Sequence, residues 1–269
     1  MSQSAFNENV VIITGASSGI GRQMALQLAA QGAWLSLASR RRDTLEELAA
    51  ECRALGGRAL VVETDVAEES QCKRLIEKTV VEYGRIDTLI NNAGITIWAK
   101  FEDMKVLFPF EKVMQVNYLG SLYCTYYALP YLKESRGRLA AISSMAGRTG
   151  VPFRSGYSAS KFALSGFFET LRIELAYTGI SVTMIFPDFV QTNTRLQAFG
   201  PDGTHVNRST VREGAVMGAE TAADIILKAI ARRKREEIMS LRGKFGKYIK
   251  PFFPALIDRI ARRAVEKGK

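Results

Sequence analysis

Tyr157 and Lys161 stand four positions apart in Tyr157-Ser158-Ala159-Ser160-Lys161. On a helix that spacing places both on one face. A phenol ordinarily titrates near ~10 and is a poor proton shuttle at neutral pH. A nearby ammonium favours the phenolate and lowers that value. Ser144 lies thirteen residues upstream of Tyr157, just after an apolar run. At the carboxyl end of a parallel strand its hydroxyl can hydrogen-bond a substrate oxygen. A Tyr and a Lys one turn apart are common on any helix, so the pair gains meaning only from its company. His205 is the single histidine, and it lies in a Gly/Pro/Asn-rich stretch. Proton chemistry here must therefore use another residue type.

The second cluster is Thr14-Gly15-Ala16-Ser17-Ser18-Gly19-Ile20-Gly21. Its glycines let the backbone turn sharply and approach a pyrophosphate, and the helix that follows supplies N–H donors and partial positive charge. Alone, such a turn is equally a tight bend with a serine helix cap. The third is Ser39-Arg40-Arg41. An enzyme preferring NAD places an acidic residue here for the ribose 2′-hydroxyl. Ser39 followed by two guanidinium groups suits a 2′-phosphate instead, unless the run is a solvated basic turn. Asp65, followed by Val66, either accepts from an adenine amino group or caps the next helix. Asn91-Asn92-Ala93-Gly94 combines small residues, which permit close approach to a cofactor, with amides able to bridge strands; in isolation it reads as a turn.

These groups need a scaffold that brings them to one edge. Short apolar runs at Val10–Ile13, Trp34–Ala38, Leu60–Glu63, Thr88–Ile90, Leu139–Ile142 and Val182–Phe186 alternate with helical patterns. The helices are expected at Arg22–Gln31, Thr44–Leu55, Glu68–Tyr83, around Lys105–Val116 and Leu119–Lys133, and at Ser158–Tyr177 and Thr221–Arg233. Ile238–Leu241 is a candidate last strand, and Phe199–Gly218 reads as a long loop. That alternation predicts βαβ units and a parallel sheet.

The composition is that of a globular chain, 47% hydrophobic and 24% charged. The cysteines, Cys52, Cys72 and Cys124, are odd in number and lack metal-like spacing. They are expected to be reduced thiols, with no metal site. Met1–Asn9 does not read as a signal peptide, and no apolar run reaches the length of a membrane span. A cytoplasmic location is expected, with peripheral membrane attachment as an option. The net charge of +10 is uneven: residues 228–269 hold 14 Lys+Arg and 4 Asp+Glu, and the rest is balanced.

In the tail, Phe245, Tyr248, Ile249, Phe252 and Phe253 interleave with Lys244, Lys247 and Lys250. Beyond Pro254, the residues Leu256, Ile257, Ile260, Ala261 and Ala264 recur at helical spacing, with Arg259, Arg262 and Arg263 on other faces. Such a segment either docks on its own domain or on a partner subunit, or lies flat on an anionic membrane. Nucleic acid is not expected, because basic charge alone is unspecific.

Thr14–Gly21, Asn91–Gly94, Asn117, Ser144 and Tyr157-x-x-x-Lys161 occur in the order and spacing of the short-chain dehydrogenase/reductase family, which the chain resembles over about residues 8–240. The resemblance implies an α/β fold: one Rossmann domain, residues 1–241, with a doubly wound seven-stranded parallel sheet. Residues 242–269 would form a basic amphipathic extension. It also implies a homodimer or homotetramer.

By resemblance, Tyr157 is the general acid/base. Lys161 lowers its pKa and holds the nicotinamide ribose, Ser144 orients the carbonyl, and Asn117 holds a relay water. Gly15, Ser17, Ser18, Gly19, Ile20 and Gly21 would cradle phosphate. Ser39, Arg40 and Arg41 would select NADP(H), Asp65 and Val66 meet the adenine, and Asn92, Ala93 and Gly94 the ribose. Pro187, Val190 and Thr192 would contact the nicotinamide end.

One position departs from the family. Pro187 is followed by Asp188 where the family usually has Gly, which puts a negative charge near the nicotinamide. The Tyr157–Leu164 segment and the basic tail are similar to the branch containing 11-beta-hydroxysteroid dehydrogenase and dehydrogenase/reductase member seven. That implies a hydrophobic carbonyl or alcohol substrate of steroid, retinoid or lipid type. Ile95, Ile97, Trp98, Met145, Phe153 and Phe189 are the expected pocket lining. The competing reading is a membrane-associated NADPH-binding scaffold or redox sensor with little turnover.

Overall fold

The computed structural model describes residues 4–191, 197–206 and 216–266. Seven strands, β1 (Val10–Thr14), β2 (Trp34–Ser39), β3 (Arg58–Glu63), β4 (Thr88–Asn91), β5 (Arg138–Ile142), β6 (Ser181–Phe186) and β7 (Glu236–Ile238), form one sheet in the order β3-β2-β1-β4-β5-β6-β7. Every pairing is parallel. The chain leaves β3 at one edge and resumes at β4 beside β1, so a crevice opens at the carboxyl ends of β1 and β4.

The helices are α1 (Gly19–Ala29), α2 (Arg42–Ala54), α3 (Glu69–Tyr83), α4 (Phe108–Met114), α5 (Gly120–Glu134), α6 (Ser155–Glu174), α7 (Ala219–Ala231), α8 (Leu241–Ile249) and α9 (Pro254–Glu266). Alternation along β1 sorts them into two layers. Val11 and Ile13 pack with Leu28 of α1, Leu48 of α2 and Ile226 of α7. Ile12 faces the other way, toward Leu75 of α3, Cys124 of α5 and Phe168 of α6. Both faces of the central strands are thus buried, which is why they read as continuous apolar runs. The three cysteines are free and buried.

Two sequence expectations are corrected. The last strand is Glu236–Ile238, not Ile238–Leu241. The chain turns at Ser240, whose hydroxyl accepts from Gly243 N at 3.2 Å and starts α8. β7 is an edge strand whose glutamates are held by Arg148, Lys234 and Lys247, so polarity hid it. The helical stretches on either side of Asn117 are also not separate. A π-helical turn, Gln115–Leu119, joins α4 to α5 without a break. No helix among the described residues is long and apolar enough to cross a membrane.

Candidate active site

The turn after β1 is shaped by what a side chain would strike. Gly15 has φ +66°, and a Cβ there would fall 2.8 Å from the Ala93 Cα. A Cβ on Gly21 would fall 2.4 Å from the Gly15 carbonyl oxygen. The turn therefore lies flat against the Asn92–Ala93 backbone, and α1 begins directly behind it. Thr14 locks this edge, its Oγ1 accepting from Asn92 N and Ala93 N at 3.0 Å each. The Asn92 amide donates to Thr14 O at 2.9 Å and Gly15 O at 3.2 Å, which is the bridging between strands that its amide suggested.

Ser18 occupies the N-cap position of α1, yet its side chain makes no cap hydrogen bond. The serine-cap alternative fails, and the first-turn N–H groups of α1 face the crevice. Positive helix ends with free donors suit phosphate. Beside them, Arg41 Nη2 donates to Ser17 Oγ at 2.9 Å. That contact ties the loop after β2 to the glycine turn and sets a guanidinium over it. Arg40 lines the same space. The donors, the glycine cradle and the two arginines fit a dinucleotide carrying an extra phosphate. Asp65 accepts from Ala67 N at 3.0 Å and lines the crevice, while Glu68 takes the N-cap position of α3.

A cleft of about 570 Å³ runs along this edge. Gly15, Ser17, Ser18, Gly19, Ile20, Gly21, Ser39, Arg40, Arg41, Asp65, Val66, Asn92, Ala93, Gly94, Ser144, Tyr157, Lys161, Pro187 and Val190 all line it. Thr192 lies outside the described residues. Asn117 is buried behind the wall, and a Cβ on Gly94 would stand 3.3 Å from its Oδ1. The Asn117 side chain accepts from Ile95 N at 2.8 Å and donates to Ile95 O at 3.0 Å and Ser160 Oγ at 2.8 Å. These bonds pin the chain after Gly94 to α6. The π-helical turn is what points it there; such turns recur at functional sites.

Ser144 follows β5 and caps a short 3-10 turn, accepting from Ala146 N at 3.2 Å. Its hydroxyl lies near enough to the Tyr157 phenol to lower that group's pKa. Lys161 is 4% exposed, and its Nζ donates to Ile142 O at 2.8 Å and lies 5.8 Å from the Tyr157 ring centroid. Burial lowers its pKa to about 8. Burial also holds the Tyr157 phenol above its ordinary value, opposed by the Arg154 guanidinium and the Ser144 hydroxyl. Arg154 is thus a second cationic group beside the Tyr157 phenol, one turn before it as Lys161 is one turn after.

Arg154 sits one turn before Tyr157, with Cζ 5.5 Å from the Tyr157 ring and 4.9 Å from the Trp98 ring. Phe153 stacks on the other aromatic partner, its ring 5.7 Å from Trp98, and takes φ +66° to do so. Positive φ is uncommon for a bulky residue and marks a constrained turn. The i−3 spacing to Tyr157 was the available signal for Arg154. Lys112 on α4, with Gln197, Phe199 and His205, also lines the cleft, and nothing local in the sequence marks them. His205 stacks on Phe199 at 5.0 Å and engages Gln197 O through Nδ1 at 2.9 Å.

The expected lining holds for Ile95 and Phe189 only. Ile97 is fully buried, Trp98 and Phe153 spend their faces on each other, and Met145 packs toward Gly243. Thr96, Lys112, Arg154, Gln197 and His205 make the wall more polar than expected. Asp188 has no positive φ, so Gly is not required there. Its carboxylate receives Arg242 Nε at 2.7 Å, so the negative charge expected there is paired with a guanidinium.

Residues 9–200 match the family model described as short chain dehydrogenase. The chain is 43% identical over 204 residues to the 11-beta-hydroxysteroid dehydrogenase-like 4A protein of Arabidopsis thaliana, spanning 74% of this chain and 68% of that one. It is 39% identical over 241 residues to 11-beta-hydroxysteroid dehydrogenase 1A of the same plant, spanning 86% and 69%. It is 38% identical over 232 residues to 11-beta-hydroxysteroid dehydrogenase A of Sesamum indicum, spanning 84% and 66%. In fold it resembles an alcohol dehydrogenase from the archaeon Thermococcus sibiricus complexed with 5-hydroxy-NADP, with a TM-score of 0.74 at 24% identity over 86% of this chain and 95% of that one.

Proposed function

Because the chain belongs to the short-chain dehydrogenase family, we propose that it interconverts a ketone or aldehyde and the matching alcohol with NADP(H), using Tyr157 as general acid/base. The observation that carries the reading is the convergence of Ser144, Tyr157 and Lys161 on one cleft with the glycine turn. When bound, the nicotinamide cofactor supplies or accepts the hydride.

The first turn of α1 and Arg41 hold its phosphates, with Arg40 and Arg41 favouring the 2′-phosphate. Asp65 and Val66 border the adenine, Asn92, Ala93 and Gly94 the ribose, and Pro187, Val190 and Thr192 the nicotinamide. In the reductive direction Ser144 fixes the carbonyl oxygen and Tyr157 gives it the hydroxyl proton. Arg154 and Ser144 stabilise the phenolate left behind. Lys161 is able to return a proton near neutral pH because its pKa is close to 8, and Asn117 keeps that end of the site in place.

Ile95, Phe189, Val190 and Phe199 give the substrate a hydrophobic bed, which favours a lipophilic carbonyl of the kind named for the plant relatives. Residues 1–241 are the catalytic unit. Exposed Tyr126 on α5 and Phe162 and Ile173 on α6 support a homodimer or homotetramer. The scaffold reading drew on Asp188, and the Arg242 pair removes that motive.

The test is NADPH oxidation across a panel of ketones and aldehydes that includes steroids and long-chain keto lipids. Tyr157→Phe should retain NADPH binding and lose at least about a thousandfold in turnover. Normal turnover by that variant sinks the proton-donor role, and tight NADPH binding with no turnover of any carbonyl restores the scaffold.

A further inference from the structure

The C-terminal hairpin of α8 and α9 is attached to the domain by one side only. Arg242 pairs with Asp188, Lys247 with Glu236, and Lys250 Nζ donates to Arg148 O at 2.5 Å. Gly243 sits so close that a Cβ would meet Ile238 and Met145 at 2.8 Å. Ile257 turns α9 inward, reaching 3.9 Å from the Cβ position of Gly246, and is 9% exposed. The tail thus docks on its own domain.

Its other side is a different surface. Leu241, Phe245, Tyr248 and Phe252 recur at i, i+4, i+7 and i+11 and are all exposed, Phe252 to 78%. Phe253, Leu256 and Ile260 continue that apolar surface along α9. Arg259, Arg262 and Arg263 stand exposed beside it. Residues 242–269 hold nine Lys+Arg and two Asp+Glu. Exposed aromatic and aliphatic groups flanked by cations are suited to the headgroup boundary of an anionic bilayer. A second copy would bring an equal cluster of positive charge against the first, and like charges oppose that pairing.

We propose that the outer face of the α8–α9 hairpin is a membrane-docking surface for anionic bilayers. The aromatic side chains enter the interface and the α9 arginines meet the headgroups. Its inner face holds Asp188 and packs at Met145, beside Ser144, so the docked surface adjoins the cleft. If the carbonyl-reduction reading holds, a lipophilic substrate reaches Phe189 from the bilayer.

The experiment is flotation of the full chain with phosphatidylcholine vesicles and with phosphatidylcholine–phosphatidylglycerol vesicles. Capture by the anionic vesicles alone, weakening as salt rises, is the expected result. Arg259→Glu/Arg262→Glu/Arg263→Glu should partition about a hundredfold more weakly. Phe245→Ser/Phe252→Ser/Phe253→Ser should lose stable capture even at low salt. Both variants should keep parental NADPH binding and parental rates on a water-soluble carbonyl, which shows that they are folded. Equal capture by both vesicle types, capture by neither, or aromatic variants that float like the parent overturn the proposal. So does a parent that ignores vesicles but self-associates through this face, its mass falling in the aromatic variant. Binding is read without turnover, so its failure is distinct from failure of the proposed reaction.

Discussion

The two rims of the cleft are built differently. The phosphate rim, from Thr14 to Gly21 with Asn92–Gly94, is made of backbone. Its donors are helix N–H groups, its contours are the spaces where glycines leave out Cβ atoms, and its fastenings run between adjacent parallel strands. The substrate rim is made of side chains brought from far apart: Ile95 and Thr96, Lys112, Arg154, Phe189, and the Gln197–His205 segment. That segment is itself pinned across the rim, where Trp98 N donates to Phe199 O and Phe199 N to Thr96 O, both at 2.9 Å. A backbone rim tolerates no change of shape and few changes of residue. A side-chain rim keeps its frame while its chemistry is rewritten, so on the proposed reading the first would hold the cofactor and the second would select the substrate.

The largest effect is expected where the backbone rim is filled. Gly15→Val adds a Cβ at 2.8 Å from Ala93 at a left-handed backbone position. Strain and clash together are about 3 kcal/mol, so the NADPH dissociation constant should rise at least about a hundredfold in a fluorescence titration. A variant that binds normally would erase the contrast between the rims.

Lys161, where the rims meet, comes next. With its pKa near 8 against about 10.4 in an unfolded chain, the buried ammonium costs roughly 3 kcal/mol of stability below pH 8. That cost fades as pH rises toward the unfolded value, because the unfolded chain then holds more protons. Loss of the hydrogen bond to Ile142 O offsets about 1 kcal/mol. Lys161→Met should therefore melt several degrees higher at pH 7 while losing turnover, and should lack the parent's gain in Tm between pH 8 and 10. A lower Tm at pH 7 would contradict this.

Smaller again is cofactor choice. NADPH should bind at least about tenfold tighter than NADH, and Arg40→Ala/Arg41→Ala should abolish the ratio; equal affinities in the parent would discard the arginine argument. The smallest is a shift on the side-chain rim. Arg154→Met removes a charge that lowers the Tyr157 pKa, so the high-pH fall of the reductive rate should move upward, and alcohol oxidation at neutral pH should weaken. An unmoved profile would leave Arg154 with substrate contacts alone.

The same division explains what the sequence disclosed. A glycine turn, an Asn-Asn-Ala-Gly segment and a Tyr-x-x-x-Lys pair are local, so their positions on the cleft followed from short spacings and a strand–helix alternation. The parallel sheet followed as well, with boundaries displaced by a residue or a few, while its count of seven strands was what the family resemblance implied. The substrate wall did not. Trp98 and Phe153 look like lining residues, and only the folded chain shows that they satisfy each other. Arg242 meets Asp188 across 54 positions, a distance over which no motif operates. β7 escaped because two of its three residues are glutamates, one on each face of an edge strand.

The π-helical turn at Gln115–Leu119 has a consequence for how this chain can vary in length. It holds one residue more than a regular α-turn would. Lys112 before it and Val116 within its first half line the cleft, while Gly120 and Cys124 after it pack against Val66 and the core. Both sets are in phase only because of that extra residue. A single-codon deletion there would restore ordinary helical hydrogen bonding and rotate one set by about 100°, so it would be rejected where substitutions of exposed neighbours are accepted. The segment should be a place where related chains differ in residue type but not in number.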